Sequence, residues 1–176
     1  VVRWSSEPDG NLLGIGPSVS NPLTGEIISA DVVNKLLAIK LGYNYRKLYG
    51  YTEDNDPLMQ YITNLTLHEV GHVLGLRHNF RGSYLYSPDE IHDKNITGNV
   101  LMSSVMDYDP INIAPEGVEQ GIYFSTEPGV YDKWAVKFGY TPNLTDKERT
   151  ALLQQSVNRE LTFGTDDDAM SYPGNN

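Results

Sequence analysis

The chain of 176 residues contains no cysteine. Disulfides and thiolate metal sites are thereby excluded, so any metal site would have to draw on His, Asp, Glu or Tyr. The absence fits an exported protein as well as a cytosolic one. Basic residues are scarce: 13 Lys and Arg stand against 23 Asp and Glu, for a net charge of −10. That balance argues against nucleic acid or an anionic membrane as partner, since both select for basic patches. No apolar run approaches the roughly 18 residues of a membrane-spanning helix, and no signal peptide is visible. With 39% hydrophobic residues, the chain is globular and long enough to bury one domain's core. It opens on Val1-Val2-Arg3-Trp4, which reads as mid-strand, and ends in a Gly/Asn tail after Asp166-Asp167-Asp168. The expectation is a domain excised from a longer protein, with targeting information and other domains of the same parent chain outside it.

Against this background, residues 68 to 78 stand out: His68-Glu69-Val70-Gly71-His72-Val73-Leu74-Gly75-Leu76-Arg77-His78. The pattern is H-E-x-x-H-x-x-G-x-x-H. On a helix turning about 100° per residue, His68 and His72 lie one turn apart on one face and can converge on one ion. Glu69 borders that face without entering it, which suits a base acting on a metal-bound water. Gly75 can take positive φ and stop the helix, letting His78 return with a third nitrogen. Three protein ligands leave a fourth position open, the mark of a catalytic zinc site. A bare H-E-x-x-H arises by chance in polar helices, but the glycine and third histidine are two further independent matches. Ile62, Leu65, Val70, Val73 and Leu74 fall where a buried helix needs apolar residues.

Along the rest of the chain, Val1 to Trp4 predicts a strand, followed by a turn at Pro8-Asp9-Gly10. Leu12 to Val19 and Glu26 to Val32 predict two strands around a turn at Asn21-Pro22-Leu23-Thr24-Gly25. Pro17 marks an irregular or edge segment in the first. A helix is expected from Asp31 to about Tyr49, with Val33, Leu36, Leu37 and Leu41 on one face and Gly42 weakening it. The metal helix should run from Leu58 to Leu74. Arg77 to Pro110 is a long polar stretch, and a loop of that length is usually functional or holds short structure of its own. Pro128 to Phe138 reads as a helix with Val130, Trp134 and Phe138 on one face. Thr145-Asp146-Lys147-Glu148 is a capping box opening a helix through about Glu160. The layout is α+β.

A second segment, Ser104-Val105-Met106-Asp107-Tyr108, narrows the reading. With it the chain resembles the metzincin zinc peptidases, whose long histidine motif is paired with a tight methionine turn beneath the metal. The S-x-M-x-Y form is similar to that of astacins and serralysins. The resemblance implies that Met106 forms the base of the site. It also implies that Tyr108 lies at the zinc, as an additional candidate ligand, and helps hold the transition-state oxyanion. Four phrases resemble the bacterial Met-zincin domain of large exported proteins: Gly14-Ile15-Gly16-Pro17-Ser18-Val19, Asn21-Pro22-Leu23-Thr24-Gly25-Glu26-Ile27, Arg77-His78-Asn79-Phe80 and Tyr131-Asp132-Lys133-Trp134. The chain departs from astacins in carrying Asn79, not an acid, after the third histidine.

These readings imply a metzincin-like α+β domain over 1–176. Its small mixed twisted sheet and zinc helix would occupy 1–78, and a mainly helical and loop part with the methionine turn 79–176. The expected function is a zinc-dependent endopeptidase, one Zn2+ held by His68, His72 and His78, Glu69 as general base, Tyr108 assisting, and a peptide or protein as substrate. The strand Glu26 to Val32 is expected to offer an edge to that peptide, and Pro110 and Ile111 to wall its pocket. Export to the periplasm, cell surface or medium is expected. Two alternatives stand beside it, a non-catalytic zinc-binding domain and a zinc hydrolase of a non-peptide substrate; intact Glu69 argues against the first. Asp166-Asp167-Asp168 is a Ca2+ candidate, though acidic runs are usually solvated. His92 is expected to be solvated. The glycosylation sequon at Asn64 is expected to be incidental, because it falls inside the metal helix.

Overall fold

Branched Cβ atoms at Val2, Val32 and Val33 favour extended backbone, and these residues build a small sheet in the computed structural model, which describes residues 1–6 and 13–169. The strands are β1 (Val2–Ser5), β2 (Gly14–Ile15), β3 (Ser18–Ser20), β4 (Ile27–Ala30) and β5 (Val32–Lys35). β5 is central. β1 pairs with it in parallel, Val2 opposite Val32, and β2 pairs antiparallel on its other side, Gly14 opposite Asn34. β3 and β4 form a separate antiparallel hairpin around the predicted turn, where Gly25 takes φ +75°. Each of the two long strands expected here is therefore split. Gly16-Pro17 separates β2 from β3, as proline in a strand would, and Asp31 separates β4 from β5. The turn expected at Pro8-Asp9-Gly10 lies outside the described residues.

The first helix, α1 (Leu36–Tyr49), starts later than Asp31 because β5 claims the intervening residues. Its buried positions are Ala38 and Gly42, with Leu41 and Tyr45 against the core. Leu36 and Leu37, expected on the inner face, are 40% and 47% exposed. Gly42 is the point of closest approach to the next helix: a Cβ there would lie 2.7 Å from Leu58 Cδ1. The glycine that weakens helix propensity is what lets two helices pack.

The metal helix, α2, runs over Pro57–Val73. Asp56 caps it, accepting from Leu58 N at 3.0 Å, and Pro57 fills the first helical position, where no N–H is needed. Arg46 Nε holds the same Asp56 carboxylate at 3.0 Å and so ties α1 to the start of α2. At the far end Gly75 takes φ +85° as expected. Gly75 N donates to His72 O and Leu76 N to Gly71 O, the paired bonds of a Schellman stop.

The side of α2 that is buried was not the one expected. Ile62, Leu65, Val70, Val73 and Leu74 are only half-buried, whereas Gln60, Tyr61, Asn64, His68, Glu69 and Gly71 are buried. Tyr61 joins Ala38, Tyr123 and Phe124 in the main core, its ring centroid 5.1 Å from that of Phe124 and 5.6 Å from that of Tyr45. A second cluster holds Leu101, Met102 and Ile122.

Beyond α2 the chain is mostly irregular, with α3 (Lys94–Thr97), then α4 (Val130–Tyr140), α5 (Asp146–Gln154) and α6 (Asp166–Ala169). The capping box forms as predicted, Thr145 N donating to Glu148 Oε2 at 2.9 Å. α5 stops at Gln154 rather than near Glu160, and short 3-10 turns carry the chain through Leu161. On α4, Trp134 and Phe138 do share a face, rings 6.2 Å apart, but the residue it buries is Asp132. The whole is the expected α+β arrangement.

Gly71 faces Met106, which has no exposed surface, and a Cβ at Gly71 would collide with Met106 Sδ. Gly71→Ala gains up to about 1 kcal/mol of helix propensity but costs about 1–3 kcal/mol of overpacking. The clash should win, lowering the thermal midpoint of the metal-free protein by about 2–4 °C. An unchanged or raised midpoint in a thermal melt would show that Met106 has room to move aside.

Candidate metal centre

His68 and His72 leave α2 one turn apart, and His78 returns to them after the Gly75 stop. One nitrogen from each of the three rings lies within 4.8 Å of the others. The remaining nitrogens identify the tautomers. His68 Nδ1 is 2.7 Å from Val105 O, His72 Nδ1 is 3.1 Å from Leu76 O, and His78 Nδ1 is 2.8 Å from Asp166 Oδ1. Carbonyl and carboxylate oxygens only accept, so each Nδ1 carries a proton, and in the neutral ring it is Nε2 that keeps the lone pair. His72 Nε2 and His78 Nε2 are 3.2 Å apart. Two nitrogens each about 2.0–2.1 Å from a tetrahedral zinc ion would be separated by about 3.3 Å. Three converging lone pairs, all nitrogen, therefore fit a zinc ion. Burial, followed by the neighbouring rings, pushes His68 down to about 4 and lowers His72 as well, so both stay neutral at pH 7, as ligands must be.

Glu69 is buried beside this cluster and lines a cleft of about 760 Å³. Its carboxylate makes no hydrogen bond among the described residues, and burial pushes it up to about 7, with His78 opposing. Strand β2 runs directly over it. A Cβ at Gly14 would lie 2.6 Å from Glu69 Oε1, and one at Gly16 would strike the Glu69 carbonyl. Gly14 is thus small because a carboxylate lies under it, and Gly16 because the α2 backbone does. The segment bordering the cleft is β2 with its flanking residues, 13–17, and not the expected strand Glu26 to Val32. Pro110 and Ile111 do line the cleft, together with Leu41, Tyr61 and Phe124.

Tyr108 stands opposite, its hydroxyl 3.1 Å from His78 Nε2 and its ring 5.5 Å from that of His68. Burial, then Asp166 and Glu69, raise its pKa, so it stays a phenol and a donor. Met106 lies beneath Gly71 with no exposure.

The methionine turn is pinned by a residue that sequence reasoning missed. Asp132 accepts from Ser104 Oγ (2.6 Å), Val105 N (2.8 Å) and Gly129 N (2.8 Å). Val105 O in turn receives His68 Nδ1. Asp132 is inside the Tyr131-Asp132-Lys133-Trp134 phrase, which was its one signal. Asn64 lies inside α2 as expected, one helical turn before His68, and its buried amide donates to Asp109 Oδ2 and Ser125 O. Asp166, in the acidic run expected to be solvated, meets His78 Nδ1. His92 is only half-exposed, its Nδ1 buried without a partner, so it is less solvated than expected.

A family model described as Met-zincin matches residues 51–176, which include all of the histidine motif and the methionine turn. No curated protein and no solved structure matches the chain.

Asp109 gives a pH signature. Burial pushes its carboxyl from 3.8 up to about 6, although Ser125 and Asn64 hydrogen bonds pull it down. The folded protein then binds more protons than the unfolded chain between about pH 4 and 6, so this group's contribution to stability falls as pH rises through that window and is level above it. Asp109→Asn removes that slope. Its thermal midpoint relative to the wild type should climb between pH 4 and 6 and then plateau. A difference that is constant with pH would reject the assignment.

Proposed function

The chain belongs to the Met-zincin family, a family of zinc-dependent metallopeptidase type, and from that premise we propose that it is an endopeptidase cleaving peptide bonds in the cleft beside Glu69. The observation that carries the reading is the meeting of three imidazoles, a buried carboxylate and a phenol at one wall of that cleft. His68, His72 and His78 would hold the metal. Zinc bound there supplies a Lewis acid that polarises the scissile carbonyl and brings the pKa of a coordinated water toward about 7.

The residues of the chain then divide the work. Glu69, raised to about 7 by burial, is matched to take a proton from the attacking water and return it to the leaving nitrogen. The Tyr108 hydroxyl donates to the oxygen on which negative charge develops. β2 is an edge strand, so its free side can pair with an extended substrate backbone. The apolar cleft behind it, walled by Leu41, Tyr61, Ile111 and Phe124, accepts a side chain next to the scissile bond. Export remains part of the proposal and rests on the resemblance to domains of exported proteins.

Glu69→Gln should bind zinc at wild-type stoichiometry and lose hydrolysis of a mixed peptide library; turnover surviving in that variant would reject Glu69 as base. Chelation of the wild-type chain should abolish the same cleavage. Zinc binding without any cleavage would favour a non-catalytic zinc domain, and cleavage of esters or glycosides alone would favour a different hydrolase.

Tyr108→Phe should lower kcat by about 100-fold, the usual effect of one lost oxyanion donor, with metal content unchanged. Loss of zinc from that variant would make Tyr108 a ligand instead.

A further inference from the structure

The third ligand, His78, stands outside the helix that orients the first two, so something else must hold its ring. The next residue, Asn79, has no exposed surface and grips a distant part of the chain. Its Oδ1 accepts from Gly164 N at 3.0 Å and its Nδ2 donates to Thr162 O at 3.1 Å. Phe80 N donates to Gly164 O at 3.0 Å. Gly164 packs so closely on Arg81 that a Cβ there would lie 2.9 Å from Arg81 Cγ. Residues 162–164 are thereby clasped against 79–81, and the chain reaches Asp166 two residues later. Asp166 Oδ1 meets His78 Nδ1 at 2.8 Å across 88 residues of sequence, and Oδ2 lies 3.6 Å from Arg77 Nη2.

We infer that Asp166 is the positioning residue of the third metal ligand, delivered by the Asn79 clasp. The inference rests on the reading of the three histidines as a zinc site. The carboxylate accepts the Nδ1 proton, which fixes the tautomer with Nε2 free, sets the plane of the ring and raises its basicity toward the metal. His68 and His72 have backbone carbonyls in the same role. His78 is the one ligand of the three whose ring is oriented by a side chain. The acidic run is thus functionally unequal. Asp166 turns to the metal centre, while Asp167 is exposed. Asn79, the position where the chain departs from astacins, is occupied by the residue type that can bind both the N–H and the C=O of the returning segment.

The test is the zinc affinity of the purified chain, measured by competition with a chromophoric chelator, together with the thermal midpoint of the metal-free protein. Asp166→Ala should weaken zinc binding by about 10- to 100-fold while leaving the metal-free midpoint unchanged. Asp166→Asn, which keeps an acceptor oxygen without the charge, should recover part of the loss. Asp167→Ala should bind zinc as the wild type does. Affinity of Asp166→Ala within about twofold of wild type would overturn the inference, as would an equal loss in Asp167→Ala, which would reduce the effect to overall charge. A lowered metal-free midpoint with zinc affinity intact would leave Asp166 a structural contact only and overturn it too. Failure of the wild-type chain to bind zinc would reject the metal-site reading and this inference with it, whereas zinc binding without peptide cleavage would reject only the peptidase.

Discussion

The buried polar face of α2 is the constraint on which the rest of the molecule depends. A buried polar group left unpaired costs about 1–3 kcal/mol, so Gln60, Asn64 and His68 each require a partner. All three find one in residues 105–125. Gln60 Oε1 receives Tyr123 N at 2.7 Å and Phe124 N at 3.2 Å, Asn64 Nδ2 reaches Ser125 O, and His68 Nδ1 reaches Val105 O. A stretch with almost no regular secondary structure is thereby fixed against a helix. The specificity comes from directional bonds, since apolar packing alone would let such a loop slide.

That arrangement couples fold to chemistry. The bond that satisfies His68 also sets its tautomer, and the carbonyl it uses belongs to the methionine turn. Asp132 holds that turn from behind with three hydrogen bonds. Met106 then fills the space left by Gly71, so the floor of the site and its first ligand are positioned by one connected set of contacts. Such support is what keeps metal ligands within the narrow geometry that catalysis needs. On the other wall, Gly14 and Gly16 bring backbone down onto Glu69 and shield it from water, which is why its carboxyl is displaced toward neutrality.

Much of this was legible in the residues, and the limits follow from range. The stop at Gly75 and the capping box at Thr145 are local devices, and each formed where the sequence placed it. The convergence of His68, His72 and His78 follows from helical spacing plus one turn, and the structure brings their nitrogens together. What was missed depends on contacts far apart in sequence. Periodicity pointed to Ile62, Leu65 and Val70 as the inner face, because apolar residues usually supply it; here the inner face is polar, and its partners lie 37 to 64 residues away. The split of the strands at Pro17 and Asp31 reflects which neighbours are available to pair, and no local pattern carries that. Asp166 looked solvated because nothing near it in sequence reveals His78.

The way the three imidazoles are oriented has an evolutionary consequence. Backbone carbonyls orient His68 and His72, and no codon change deletes a carbonyl. His78 answers to the side chain of residue 166, which a single nucleotide change can replace. If these rings hold zinc, its affinity can drift through one position that lies outside the three histidines. A descendant that dispensed with catalysis would have an inexpensive first step, with the histidine motif still intact and still legible long after the site had loosened.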